Sequence, residues 1–514
     1  MNRSKAETRT VSETPLTKKN NFYLRFAGWT DGALWRQALV CLVLSAAVVT
    51  VFSVFTTPIN RYYGNDSAFF LLLGKGVTQG KIPYLDLYDQ KGPMIFYVNA
   101  LGYLLTGDRY GIFLMQIVNL SVMCVLLYKL ARFWLHSGAS LGVVAAYLFL
   151  YVGTVQDGNM TEEWSQLFLL LPLYLSLRFL KSGASLTAHP KWYSLLYGVC
   201  LGVLLMFRVT NAAPVCGLIL AYIILFCREK KAGQLLLHAL FVLLGAAVVV
   251  VPICLYFLRV GAFDLFIYAS ITHNFFYATG GAAARGLIGW LSIIGSVLFV
   301  PFFLAAYRPL TRCGTLDFRT FTLLGCYAAV GAVTMAFGFT YRHYFLNLAP
   351  GIIAILIAAI DWAQRTAPEN RRRARGVLAA ALLLCVLPFA PQVVRQSGKV
   401  VYFTCMHQLD KFPARGAALS EAIPTDRDSV WGYNVIAQDY LYADFLPCFR
   451  YFALQEWMEE SDPQIAPEID EMLETDPPVW VFTYQDEEDM TQKLLSLGYE
   501  MEERSEFRIF HKAQ

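Results

Sequence analysis

Apolar blocks recur along the first three quarters of the chain, and short polar loops separate them. A helix needs about 20 apolar residues to cross the hydrocarbon core of a bilayer. The first block is too long for the apolar core of a signal peptide and lacks a small-residue cleavage site, so we expect it to remain as a span. The eleven predicted spans are 37–57, 110–133, 139–155, 163–180, 192–207, 211–227, 235–258, 287–307, 321–341, 344–361 and 376–394.

The two predicted spans on either side of Arg208 decide the topology of everything that follows. The first of them is short, and Asn211 and Pro214 interrupt the second; if they formed one span, every later segment would change sides. Loops on the cytoplasmic side of a membrane carry an excess of Lys and Arg. With a cytoplasmic N-terminus, the inner loops collect sixteen basic residues and the outer segments nine. This bias favours eleven spans, with the first loop and the C-terminal segment both outside.

Residues 395–514 follow a different pattern. Strand and helix patterns alternate there, which indicates a small α/β domain. Strands are predicted at 429–431 and 479–482, helices at 463–473 and 487–497, and a closing hairpin at 499–504 and 507–511. We therefore expect a disordered cytoplasmic leader (1–35), a polytopic α-helical membrane domain (36–394) and an extracytoplasmic α/β domain (395–514). The first outer loop, 58–109, contains two apolar stretches at 68–77 and 94–105 that predict helices lying in the membrane interface.

Composition supports this division and excludes other classes. The chain is 56% hydrophobic and 16% charged, whereas soluble domains contain about 25% charged residues. The net charge of +4 combines +17 before Arg395 with −13 from Arg395 onward. The basic residues are spread over short loops, which argues against nucleic-acid binding. The eleven cysteines show no metal-ligand spacing, and Cys405 with Cys448 could pair in the tail.

Carboxylates before Arg395 are concentrated on the predicted outer side, where eight of fifteen fall. Asp66 follows the first span, so it can face a cavity at the lipid boundary, and it is the first candidate for a catalytic group. Glu162 and Asp157, at the lip of a span, are further catalytic candidates. Thr161 could instead cap that helix, with Glu162 and Glu163 favourable in its first turn.

Cations at the same boundary predict a phosphate site. Charges at membrane depth are costly and usually functional, and Arg and Lys are the side chains that recognise phosphate. Snorkelling to lipid headgroups is the alternative for the arginines. Tyr84 could stack on a sugar. The candidate binding residues are Lys91, Arg208, Arg342, His343, Tyr84, Asp86 and Asp89.

The stretch from Gly80 to Pro93, Gly-Lys-Ile-Pro-Tyr-Leu-Asp-Leu-Tyr-Asp-Gln-Lys-Gly-Pro, resembles the first-loop motif of GT-C glycosyltransferases. It is most similar to the protein O-mannosyltransferase and aminoarabinose-transferase type. The segments around Asn159–Glu162 and Arg342–Phe345 also resemble that group. The resemblance implies a polyprenyl-phosphate-sugar donor and inverting hexosyl or pentosyl transfer on the non-cytoplasmic face of the cell membrane. The partners it implies are that donor, membrane lipids, and a glycan, lipid or protein acceptor.

The same resemblance implies roles for individual residues. Asp66 corresponds to the first-loop catalytic carboxylate and acts as general base, while Lys91 and Arg208 contact the donor phosphate. Many relatives have Asp-Glu where this chain has Asp66-Ser67. No cofactor is therefore certain, and a divalent cation stays open.

Two other functions fit parts of the pattern. A transporter or flippase for a lipid-linked substrate would place charges at mid-membrane and show inverted repeats, and the sequence shows neither. An oligosaccharide ligase would share the outer site but carry its long outer loop late among the spans. Incorporation of label from a polyprenyl-phosphate hexose distinguishes these alternatives.

Overall fold

A computed structural model of the chain describes residues 22–274, 304–333, 341–405, 411–460 and 462–512. Residues 1–21 of the predicted leader, most of the predicted span 287–307, and the end of 321–341 lie outside the described residues. So do 275–286 of the outer loop and the side chain of Cys405.

The membrane part is a helical assembly whose elements follow the apolar pattern. Its helices are α1 Phe22–Asp31, α2 Leu34–Phe52, α3 Asp66–Thr78, α4 Met94–Thr106, α5 Tyr110–Ala131, α6 Ser137–Thr154, α7 Thr161–Lys181, α8 Lys191–Phe207, α9 Ala213–Arg228, α10 Ala232–Arg259, α11 Phe263–Ile267, α12 Phe318–Val333, α13 Ala349–Thr366, α14 Arg371–Cys385 and α15 Ala390–Val400. Short 3-10 segments at Val209–Ala212 and Arg342–Leu348 precede α9 and α13.

Within the described residues, seven helices are long and apolar enough to cross a bilayer, and four apolar helices are shorter. The predicted polytopic membrane architecture is confirmed, while the number of eleven spans stays a prediction. The helix α7 is not among the seven, because Glu162 and Glu163 lie in its first turn and Arg178 and Lys181 in its last.

Two local predictions can be compared directly with the described elements. The leader was expected to be disordered to residue 35, which is wrong for α1. Ala27 and Thr30 of this helix are buried, and Asp31 forms a salt bridge of 2.8 Å with Arg132. The interruption at Arg208 is real: α8 ends at Phe207, Arg208 is extended, and Pro214 lies in the first turn of α9.

The C-terminal residues form the predicted mixed domain. It contains α16 Lys411–Ala422, α17 Ala437–Ala443, α18 Gln455–Glu459, α19 Ile465–Thr475 and α20 Glu488–Ser496, with strands β1 Val430–Gly432, β2 Trp480–Tyr484, β3 Tyr499–Arg504 and β4 Phe507–Lys512. The strand order is β1-β2-β4-β3; β1 and β2 are parallel, and β4 is antiparallel to both of its neighbours. The final helix of the membrane part continues through a π-helical turn at Val401–Cys405, past residue 395.

This C-terminal domain packs on the first outer loop. Phe69 and Phe70 of α3 share a buried apolar cluster with Trp431 and Phe452. Lys75, buried in α3, forms a salt bridge of 2.5 Å with Asp444. The apolar face of α3 is therefore buried in protein, whereas α4 keeps Leu104 exposed at 70%. The beginning of α3 is consequently held between the membrane helices and the C-terminal domain.

Candidate active site

Asp66 is the first residue of α3 and is exposed, while the residues that follow it are buried. A carboxylate is favourable at a helix N-terminus, where backbone N–H groups are unpaired. The next residue, Ser67, accepts a hydrogen bond of 3.0 Å from Nδ2 of Asn159. Asp66 thus has a fixed backbone and a carboxylate that remains accessible.

A cavity of about 70 Å³ lies in front of Asp66. One side is formed by the first outer loop and the other by the C-terminal domain. Its lining residues are Asp66, Phe69, Phe70, Tyr88, Asp89, Gln90, Lys91, His273, Leu454, Trp457 and Met458. Of the residues predicted from sequence, the structure thus brings Asp66, Asp89 and Lys91 to one cavity.

Two predicted binding residues instead hold the shape of the loop. Oδ2 of Asp86 accepts a hydrogen bond of 2.6 Å from the backbone N–H of Ile82. The Tyr84 hydroxyl donates a hydrogen bond of 2.7 Å to the carbonyl of Lys91, and its ring is fully buried against Phe257. Tyr84 has a left-handed φ of 71°. Tyr84 is therefore buried in the loop and does not line the cavity at Asp66.

Asp89 is buried beside Lys91. Its Oδ1 accepts a hydrogen bond of 3.0 Å from the Lys91 backbone N–H and lies 4.0 Å from the Lys91 Nζ. Burial raises the pKa of Asp89, the Lys91 ammonium lowers it, and the Asp66 carboxylate raises it. The two carboxylates and the ammonium therefore act on each other electrostatically.

A close backbone approach brings the loop to the end of α8. The N–H of Gly92 donates a hydrogen bond of 3.1 Å to the carbonyl of Phe207, and a Cβ at Gly92 would lie 2.1 Å from the carbonyl oxygen of Met206. Only glycine fits there without displacing backbone. Lys91 and Arg208 are the neighbours of the two bonded residues, so the contact brings their backbones together, and both cations act electrostatically on His343.

Arg208 is held by an acid and an aromatic ring. Its Nη1 lies 3.3 Å from Oε1 of Glu162, and its guanidinium lies 4.2 Å from the centre of the Tyr344 ring. The Glu162 side chain is 1% exposed and also lies 3.8 Å from Nε2 of His343. The Thr161 hydroxyl donates a hydrogen bond of 2.8 Å to Oε2 of Glu162, and Thr161 does not cap the helix, because the cap position is Met160.

Residues 156–159 form a left-handed segment in which every residue has a positive φ: 50° at Gln156, 75° at Asp157, 102° at Gly158 and 59° at Asn159. Strained backbone of this kind persists only where its surroundings fix it. Its three side chains reach different elements. Gln156 Oε1 lies 2.6 Å from Nδ1 of His343, and Asn159 bonds Ser67. The segment therefore connects His343 to the beginning of α3.

Arg208, His343 and Arg342 divide between two acids. Asp157 is bound by Lys399 at 2.6 Å and by the Gln396 amide at 2.7 Å, both on α15. Arg342 donates to Gln392 of the same helix at 3.2 Å and interacts electrostatically with Asp157. Arg208 and His343 are instead near Glu162. Asp157 and Arg342 thus belong to a cluster that joins α15 to the left-handed segment.

His343 lies where the remaining groups converge. Glu162, Asp66, Arg208 and Lys91 all act on it electrostatically, although they come from α7, α3, the end of α8 and the first outer loop. Its side chain is 9% exposed. Four charged side chains from four separate elements therefore act on a single buried imidazole.

Sequence reasoning missed several residues of the site. Gln156 gave no signal beyond its proximity to acids, and Asn159 entered only as the first residue of a segment that resembles the family. Trp457 lies in the C-terminal domain, where the sequence offered no candidate site residue. Asn274 donates a hydrogen bond of 2.5 Å to the carbonyl of Gln90, which fixes the loop before Lys91. Among the described residues, no group of three or more His, Cys, Asp or Glu side chains could hold a metal ion.

Comparisons with known proteins agree with the membrane fold. The family model described as dolichyl-phosphate-mannose-protein mannosyltransferase matches residues 90–256. ArnT from Cupriavidus metallidurans bound to undecaprenyl phosphate has a TM-score of 0.56 and 17% identity, covering 92% of this chain and 97% of that one. The apo structure of the same protein has a TM-score of 0.53 and 16% identity, with the same coverage of both chains.

The oligosaccharyltransferase of Archaeoglobus fulgidus gives a TM-score of 0.48 and 15% identity, covering 95% of this chain and 75% of that one. No curated protein sequence matches the chain. The resemblance to GT-C glycosyltransferases is confirmed by the family match and by the fold shared with ArnT.

Proposed function

We propose that this chain, a polytopic membrane protein with the GT-C glycosyltransferase fold, transfers a sugar from a polyprenyl-phosphate-linked donor to a hydroxyl acceptor. One observation carries the proposal: the exposed Asp66 carboxylate and Lys91 line one cavity, and Asp66, Lys91 and Arg208 all act electrostatically on His343. A candidate base and two candidate phosphate ligands are therefore close together. The ArnT structure with undecaprenyl phosphate supports a lipid-phosphate donor for the same fold.

Arg208 and Lys91 would hold the donor phosphate. Arg208 is 13% exposed and Lys91 20% exposed by side chain, so both are shielded from bulk water yet reachable. Low water content strengthens the attraction between a cation and a developing phosphate charge. Glu162 and the Tyr344 ring fix the direction of the Arg208 guanidinium, so Glu162 acts as a positioning residue in this proposal.

In the proposed reaction, Asp66 removes the proton of the acceptor hydroxyl as its oxygen attacks the anomeric carbon. The new glycosidic C–O bond forms while the bond from that carbon to the phosphate oxygen breaks. The electron pair leaves with the lipid phosphate, whose charge Lys91 and Arg208 stabilise. A single displacement of this kind inverts the anomeric configuration.

The side of the membrane follows from the basic residues. Loops on the side of the N-terminus carry sixteen of them against nine on the side of Asp66, so we place the site on the non-cytoplasmic face. The C-terminal domain, which packs on α3, lies on the same face.

The test is transfer of label from a polyprenyl-phosphate hexose by purified protein in lipid. Wild type should release polyprenyl phosphate and label an acceptor fraction, and Asp66→Asn should lower the rate by about 10²–10⁴-fold. Glu500→Gln, an exposed carboxylate on β3, is the matched control and should transfer normally. Substantial transfer by a folded Asp66→Asn protein would remove Asp66 as the base.

A further inference from the structure

Part of the wall of the cavity that Asp66 lines belongs to the C-terminal domain. Leu454, Trp457 and Met458 form it, and Trp457 is 47% exposed whereas Met458 is 8% exposed. The fully buried Gln455 holds this wall by donating hydrogen bonds of 2.8 Å to the carbonyls of Gly432 and Tyr451. The Trp457 indole is thus an exposed aromatic surface on a fixed support.

The loop side of the cavity presents an unpaired hydroxyl. Tyr88 is 4% exposed and lines the cavity, and its hydroxyl has no hydrogen-bond partner in the described part of the chain. Its backbone is fixed by a hydrogen bond of 3.0 Å to the carbonyl of Arg450, and its ring lies 5.2 Å from that of Tyr451. Buried polar groups nearly always have partners, so this hydroxyl points to a ligand that supplies one.

The surroundings of Trp457 are acidic. Glu456, Glu459 and Glu460 flank it in sequence, within a domain of net charge −13. Burial, and then the neighbouring carboxylates of Glu456 and Asp470, raise the pKa of Glu459. These carboxylates repel an anionic acceptor, and such repulsion is a common way for a site to reject the wrong partner.

We propose that this wall is the acceptor subsite and that it takes a neutral sugar ring, an inference that rests on the proposed glycosyl transfer. The Trp457 indole packs on the apolar C–H face of the ring, and the Tyr88 hydroxyl bonds a ring hydroxyl. The hydroxyl to be glycosylated then faces Asp66 across the cavity. Phosphorylated glycans are disfavoured by the acidic surroundings.

Binding and transfer are measured with the full-length protein in detergent. The probes are a neutral methyl hexoside, its 6-phosphate and a serine-containing peptide. Saturation-transfer NMR measures their binding, and label transfer from a polyprenyl-phosphate hexose measures their use as acceptors. Trp457→Ala and Tyr88→Phe should each raise the Kd and acceptor KM for the neutral glycoside by about tenfold while the donor KM is unchanged. Leu495→Ala, which removes an equally exposed apolar side chain (47%) of the same domain, is the control.

The binding measurement and the transfer measurement distinguish a failure of the proposed subsite from a failure of the proposed glycosyl transfer. Wild-type protein that neither consumes the donor nor releases lipid phosphate would contradict the proposed transfer, and the binding arm would still decide the subsite. Donor consumption with an unchanged acceptor KM in both variants would overturn the subsite. Preference for the 6-phosphate or for the peptide would overturn its assignment to a neutral sugar.

Discussion

Nδ1 of His343 lies 2.6 Å from Oε1 of Gln156, a short contact between two residues that are 187 positions apart in sequence. An amide oxygen accepts, so Nδ1 carries the proton and Nε2 is directed at Glu162, 3.8 Å away. The positive φ of 50° at Gln156 indicates that the backbone is held in a costly conformation to make this contact.

Loss of this hydrogen bond should affect catalysis more than stability. His343 lies beside Glu162, which positions Arg208 in the proposed reaction. Gln156→Ala frees His343 to change tautomer beside that pair, and we expect kcat to fall by about tenfold, the equivalent of one hydrogen bond. The measurement is the rate of label transfer together with its pH profile, which should change shape. Gln79→Ala, at an exposed amide, provides the comparison. An unchanged profile in Gln156→Ala would show that the contact has only a structural role.

The Arg208–Glu162 pair allows binding and folding to be separated. Arg208→Met leaves the buried Glu162 carboxylate without its guanidinium, which should cost about 3–5 kcal/mol of stability. Adding Glu162→Gln removes the unpaired charge, so thermal stability in detergent should recover while the donor KM stays high. Recovery of donor affinity in the double variant would show that Arg208 does not hold the phosphate.

Asp157 should prove structural. Lys399→Met leaves a 3% exposed carboxylate with the Gln396 amide and the more distant Arg342 guanidinium, and we expect a loss of about 1–3 kcal/mol. Lys399→Met with Asp157→Asn should restore thermal stability and retain transfer. The exposed pair Lys493–Asp470 is the control, because surface pairs contribute about 0–1 kcal/mol. Normal stability with abolished transfer in Asp157→Asn would make Asp157 catalytic instead.

Asp89 should make stability depend on pH. Its pKa is raised in the folded chain, chiefly by burial, so folding favours the protonated form. The stability that protonated Asp89 contributes to the folded state is fully present below the unfolded pKa of about 3.9. It is lost as the pH rises through the folded pKa. Asp89→Asn keeps an oxygen for the Lys91 N–H but cannot ionise. The melting temperature of the variant relative to wild type should therefore increase with pH across that window; a constant difference would contradict the raised pKa.

The sequence by itself determined the elements and the general location of the site. Apolar periodicity is local, so the positions of most helices, the break at Arg208 and the strands of the C-terminal domain could be predicted. The first outer loop likewise supplied Asp66 and Lys91 as candidates, because both lie in the polar segment between the first span and α4.

Only the tertiary structure decided which charges meet. Both Arg208 and Arg342 were candidate binding residues, but packing places Arg208 against Glu162 and Arg342 near Asp157 on the side of α15. Packing also buries Tyr84 and places Trp457 in the lining of the cavity that Asp66 lines. Such contacts join residues far apart in the chain, and they depend on how whole helices pack, which no local pattern of side chains encodes.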